Sequence, residues 1–82
     1  MRLDKFLSTV NLTKRRTVAQ DMIRHQAVYV NGSVAKASRA VKTGDVIEFR
    51  YLDETRRFTV LDLPATKTIP KSDKEKYVRE MP

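Results

Sequence analysis

Cysteine and tryptophan are absent from this chain, and glycine occurs twice and histidine once in 82 residues. Without cysteine there is neither a disulfide framework nor a thiolate metal centre, which suits a reducing cytoplasm. His25 has no cysteine to join it as a ligand and reads as a helix-end residue; no metal, cofactor or catalytic group is expected. Long apolar runs are missing too. The longest, "AVYV", is far short of the roughly 20 residues that span a bilayer, and the opening "MRLDKFLSTV" is interrupted by Arg2, Asp4 and Lys5, unlike a signal peptide. A soluble cytoplasmic protein without a membrane partner is the expectation.

What the sequence does have is positive charge. Seventeen Lys and Arg stand against ten Asp and Glu, a formal net charge of +7. Such an excess draws polyanions whatever the fold. Nucleic acid is the first partner class implied and an anionic membrane surface the second. Residues 1–50 hold ten Lys and Arg against four acids, and residues 51–82 seven against six, so the polyanion site belongs to the first half. A chain of this length makes one small core. The expected division is a domain over residues 1–63 and a charged tail over 64–82, flexible or a short helix, because "PATKTIPKSDKEKYVREMP" is rich in Lys and Glu between prolines.

Leu3, Phe6, Leu7 and Val10 fall at i, i+3, i+4 and i+7, the stripe of a short helix that Asn11 then breaks. A second helix is expected to start on Thr13 as its cap and to turn Val18, Ala19, Met22 and Ile23 to the core. In "AVYVNGSV", Val28 and Val30 alternate with Tyr29 before Asn31-Gly32, a tight-turn pair. Gly44-Asp45 marks another turn, after which Ile47, Phe49 and Tyr51 share one strand face, and "RRFTVLDL" can pair with that strand across "DET". The fold class is α+β: two short N-terminal helices on a small antiparallel sheet of three or so strands, with a charged C-terminal tail. Phe6, Phe49 and Phe58 read as core. Tyr29 is open to two readings, a base-stacking platform or a partly exposed strand tyrosine.

One local conflict points to function. Lys14, Arg15 and Arg16 crowd the entrance of the second helix, where the free N–H groups act as roughly half a positive charge and each cation costs about 0.3 to 1 kcal/mol. A phosphate docked on that first turn would accept the N–H groups and turn three costs into three contacts. On that reading, exchanging all three for Gln leaves the fold as stable or slightly more so. Asp4, beside Arg2, is expected to position an arginine rather than to do chemistry.

"RLDKFL", "KRRTVAQDMI", "VYVNG", "AKAS" and "VKTGDVI" occur in that order over residues 1–50, and together they resemble the alpha-L RNA-binding motif, or S-four domain. Among its members the chain is most similar to the short stand-alone ones of ribosome-associated quality control and heat shock. The resemblance implies a non-enzymatic factor that binds ribosomal RNA and tRNA on large subunits obstructed by peptidyl-tRNA and supports rescue or tailing of the stalled chain. It also implies a monomer that works beside a quality-control elongation factor. By position it assigns Arg2 and Arg16 as the main RNA-facing residues, with Lys14 and Arg15 beside them and Lys5, Lys36 and Arg39 on the same surface. Two positions depart from the pattern: Gln26 stands where Gly is usual before "VxVNG", and Arg15 where many members have Ser.

Two other functions are weighed. The same module occurs fused to RNA-modifying enzymes and tRNA synthetases, but nothing after residue 63 could supply a catalytic domain, which leaves an accessory role beside such an enzyme. A helix-turn-helix DNA-binding regulator would also use two short helices. Against it, the cations here lie at the helix entrance and a hairpin follows at once.

Overall fold

The apolar stripe of Leu3, Phe6, Leu7 and Val10 is fully buried in the computed structural model, which describes residues 1–66 and 69–82. It belongs to α1 (Leu3–Thr9), whose last turn closes on Asn11 at φ 63°. The Asn11 N–H reaches the Ser8 carbonyl and the Leu12 N–H the Leu7 carbonyl, a left-handed C-cap that asparagine tolerates better than most residues. Then α2 runs over Arg16–Arg24 and ends at His25. Ala19 and Ile23 are buried and Met22 packs against the core, whereas Val18, expected inside, is 40% exposed. The helix begins two residues later than the Thr13 cap implies, with Arg15 as its N-cap, and Val18 lies at the edge of the buried stripe. Thr13 is buried and its hydroxyl donates to the Arg15 carbonyl at 3.1 Å, holding the turn before the helix instead of capping it.

Gln26 answers for its unusual place. Its φ is 60°, its N–H bonds the Ile23 carbonyl and the Ala27 N–H bonds the Met22 carbonyl, both at 2.9 Å. These two bonds form the α2 C-cap that normally calls for glycine.

Five antiparallel strands follow: β1 (Val28–Val30), β2 (Ser33–Val34), β3 (Val46–Arg50), β4 (Thr55–Val60) and β5 (Val78–Met81), in the order β2-β1-β3-β4-β5. The β1–β2 turn is Asn31-Gly32, with φ 52° and 85°, and the Asn31 side chain ties it to the neighbouring turn by donating to Asp45 and accepting from the Val46 N–H. Register puts Val30, Ile47 and Phe58 side by side, with Val28 opposite Phe49 and Val60 opposite Val78. These side chains meet both helices in one core. Tyr51 lies just past the end of β3 and is partly exposed, stacked beside Phe49 at 6.3 Å between ring centroids.

The C-terminal stretch differs most from expectation. Residues 64–82, expected to be a flexible tail or a short helix, hold a short 3-10 helix over Lys71–Lys76 and, beyond either expectation, the fifth strand over Val78–Met81. Val78 is buried, and Arg56 bonds both carboxylate oxygens of Glu80 at 2.8 Å. A four-residue strand with one apolar anchor leaves little trace in the hydrophobic pattern. What secures it is a free sheet edge at β4 and a matched charge pair. Lys67 lies outside the described residues.

The Gln26 cap carries a stability prediction. Gln26→Gly removes the left-handed strain but adds freedom to the unfolded chain, so a gain of about 0.5 to 1 kcal/mol is expected. A rise of a few degrees in melting temperature checks it; a fall would mean that the glutamine side chain contributes something a glycine cannot.

Candidate nucleic-acid interface

Asp4 occupies the first turn of α1 and is completely buried, yet it is charged-group chemistry throughout. Arg2 Nε and Arg16 Nε each lie 3.2 Å from its oxygens, Gln20 Nε2 lies at 2.9 Å and the Lys5 N–H at 2.8 Å. Burial works to raise its pKa, but the hydrogen bonds from Gln20, Arg16 and the Lys5 N–H, with the charge of Arg16, outweigh it. The carboxyl stays below the ordinary carboxylate range. Each arginine spends one edge on Asp4 and keeps about half its surface in solvent. A guanidinium has five N–H donors, so the outward edges remain available to an incoming anion.

The loop before β3 is latched to the same corner. The Leu3 N–H bonds the Arg39 carbonyl at 2.8 Å, the Asp4 N–H the Ala37 carbonyl, and the Val41 N–H the Met1 carbonyl, with Arg2 and Ala40 bridged as in a short sheet. The first N–H groups of α1 are therefore occupied by protein. Lys36 and Arg39, both exposed, ride on this loop next to Arg2.

The first turn of α2 is different. Arg15 is its N-cap, with extended backbone angles and no capping side chain. Lys14 and Arg15 are exposed, and among the described residues neither side chain has an acidic partner. Sequence reasoning treated Lys14, Arg15 and Arg16 as one group; the structure separates them. Arg16 pairs with Asp4 inside the fold, which offsets its helix-dipole cost locally, while Lys14 and Arg15 face outward. The expectation that Gln at all three leaves stability untouched is thus corrected for Arg16, since its loss takes a donor from a buried carboxylate.

The structure also adds residues. A cleft of about 670 Å³ between the α1–α2 connection and the 3-10 turn is lined by Asn11, Leu12, Thr13, Lys14, Lys71 and Lys74. Lys71, from the segment read as a tail, thus shares this cleft with Lys14, and the Asn11 side chain, which donates to the Ile69 carbonyl at 3.2 Å, ties that segment to the α1–α2 connection. Gln20 was also missed; its position one turn after Arg16 on α2 was the available signal. Among the described residues no group of three or more His, Cys, Asp or Glu converges to hold a metal ion, and no helix is long and apolar enough to cross a membrane.

The S4 domain family model matches residues 1–47. A protein of Helicobacter pylori strain 26695 named RQC P-site tRNA stabilizing factor is 49% identical over 78 residues, spanning 95% of this chain and 93% of that one. The solution structure of a hypothetical protein, HP1423, superposes with a TM-score of 0.85 at 46% identity, over 100% of this chain and 98% of that one. The trimeric structure of Vibrio cholerae Heat Shock Protein 15 gives 0.88 at 26% identity, over 99% and 81%.

Asp4→Asn keeps the shape of the cluster and removes its charge. At neutral pH a loss of about 1 to 3 kcal/mol is expected. Because the folded pKa is lowered, the carboxylate's contribution is complete above about pH 4, the usual unfolded value, and is lost as pH falls through the folded one. Melting curves should therefore show the two proteins apart at neutral pH and converging in acid; equal curves at neutral pH would mean that the cluster contributes nothing to the fold.

Proposed function

The chain belongs to the S4 domain family, and from that membership we propose that it is an RNA-binding factor of ribosome-associated quality control. In this reading it binds ribosomal RNA and tRNA on large ribosomal subunits obstructed by peptidyl-tRNA, and supports rescue or tailing of the stalled chain. It does so as a non-enzymatic, cytoplasmic monomer acting beside an elongation factor. The observation that carries the proposal is the arrangement around Asp4: a buried carboxylate holds Arg2 and Arg16 at the surface, next to an uncapped helix entrance flanked by Lys14 and Arg15. The similarity to an RQC P-site tRNA stabilizing factor extends over nearly the whole of both chains, which supports the same role here.

The same reading assigns the site residues. Arg2 and Arg16 give their outward edges to phosphate oxygens, with the fork shape that suits two parallel hydrogen bonds. Lys14 and Arg15 bring a phosphate to the first-turn N–H groups of α2. Lys5, Lys36 and Arg39 extend the surface on the α1 side, and Lys71 extends it on the other. A double-stranded RNA hides its base edges in a deep narrow groove. A rigid corner of this size therefore reads backbone and shape, and its selectivity comes from where RNA elements meet. Duplex DNA, titrated beside ribosomal RNA in the same salt series, separates this reading from a DNA-binding regulator.

With about 4 to 6 phosphates neutralised, the logarithm of affinity should fall against that of salt concentration with a slope near −3 to −5. A nearly flat dependence would point to apolar recognition instead.

Two variants divide the cationic group by role. Lys14→Gln with Arg15→Gln should weaken binding to large subunits about tenfold or more while melting temperature holds or rises slightly. Arg16→Gln should cost both affinity and about 1 to 2 kcal/mol of stability, because Asp4 loses a donor. Unchanged affinity in both variants overturns the site assignment.

A further inference from the structure

The carboxylate-and-arginine arrangement of Asp4 occurs a second time, on the sheet face turned away from the helices. Antiparallel register places Val34, Tyr29, Glu48, Arg57 and Met81 in one row across that face. Glu48 is buried, bonded by Arg50 and by Arg57 Nε, the latter at 3.0 Å. Those bonds, Arg50's first, hold its carboxyl below the ordinary range against the opposing effect of burial. Arg50 and Arg57 remain 49% and 48% exposed, close to the 51% and 44% of Arg2 and Arg16. The Arg50 guanidinium also lies 3.6 Å over the Tyr29 ring, so Tyr29 supports a cation and does not offer a bare stacking face. Arg79, opposite Thr59 in the neighbouring row, is exposed and has no acidic partner among the described residues.

We propose that this outer sheet face, through Arg50, Arg57 and Arg79, is a second RNA-binding surface that takes the phosphate backbone of a separate RNA element. Three guanidinium groups against one carboxylate leave the face positive. Two of the guanidiniums are held in place by Glu48 and stay about half exposed, the preorganisation that a phosphate contact needs. A protein partner is a poorer occupant. Protein interfaces centre on a desolvated apolar or aromatic core, whereas the centre of this face is Glu48 with its arginines, and Val34 and Met81 lie at opposite ends of the row. The shallow, wide minor groove of an RNA helix, edged by phosphates and 2′-hydroxyls, matches a flat cationic sheet. The proposal rests on the RNA-binding function above and explains how a factor of this size could steady tRNA on a subunit. One cationic surface lies at the helix pair and the other on the sheet face turned away from the helices, in a body whose shortest extent is 20 Å, so it can hold two RNA elements at once.

The test is a stoichiometric titration with tRNA and with a fragment of large-subunit ribosomal RNA, followed by co-capture of labelled ribosomal RNA on immobilised tRNA. The unmodified protein should bind two RNA molecules and bridge them. Arg57→Gln with Arg79→Gln should keep the binding event that depends on Lys14 and Arg15, weaken the other about tenfold or more, lower its salt slope by about 1 to 2, and abolish bridging. Arg79→Glu alone, which touches no side-chain pair of the fold, should act in the same direction, and Arg57→Lys should restore part of the loss. A single binding event unaffected by the Arg57 and Arg79 variants overturns the proposal. Normal RNA titrations with lost subunit association do so as well, by making the face a protein contact. If instead the Lys14 and Arg15 variant binds normally and the sheet variant does not, the outer face stands and the α2 site falls.

Discussion

A carboxylate removed from water in a protein of 82 residues is expensive unless every oxygen is satisfied, and Asp4 meets that condition with donors from three places. Arg2 precedes α1, the Lys5 N–H belongs to α1 itself, and Arg16 and Gln20 come from α2. The same set of bonds therefore fixes the approach of the two helices and the direction of two arginines. If α2 rotated or slid, Arg16 and Gln20 would leave together and the buried carboxylate would keep only Arg2 and the Lys5 N–H. Fold and interface share one constraint at this corner. A single buried group can hold binding side chains in place without ordering them afresh at each encounter, which reduces the entropic cost of association.

The remaining cations are sorted by whether the fold needs them. Arg56 belongs to structure: it is held against Glu80 and secures the last strand on the sheet. Arg16 belongs to both structure and surface. Lys14 and Arg15 belong to the surface alone, at a helix end whose dipole opposes them. Unfavourable charge kept where the fold gains nothing from it is what supports the proposed RNA contact at this helix end, because local consistency is otherwise the rule in a foldable sequence.

Most of the framework was legible because it follows from periodicity. The α1 stripe, Ala19 and Ile23 on α2, the Asn31-Gly32 turn and the core phenylalanines are all found where their spacing puts them. The misses have a common cause, which is dependence on contacts far apart in sequence. Thr13 resembles an N-cap, but the chain bends through residues 12–15 before Arg16 starts the helix that faces Asp4. The fifth strand depends on a vacant edge 20 or so residues upstream, and no window of local pattern contains both. The pairing of Asp4 with Arg16 crosses twelve positions, so the same sequence could equally present three free cations until the helices are packed. Gln26 is the opposite case: its departure from glycine was visible, and the left-handed backbone it adopts shows that helix ending and strand entry outweigh residue preference there.

Size explains why the C-terminal strand is recruited at all. A chain this short buries a limited share of its surface, so each covered apolar side chain is a large part of its stability. Without β5, the β4 edge would present unpaired backbone groups, and Phe58 would lose the neighbouring strand beside it. The segment that closes this edge is itself strongly charged, and a strand of such composition adds little hydrophobic stabilisation of its own. It does, however, carry Lys71 to the cleft beside Lys14 and Arg79 to the outer sheet face. Closing the sheet edge and extending the cationic surface are therefore one act of folding, and the charge that hides the strand from hydrophobic pattern analysis is the charge that the proposed RNA surfaces draw on.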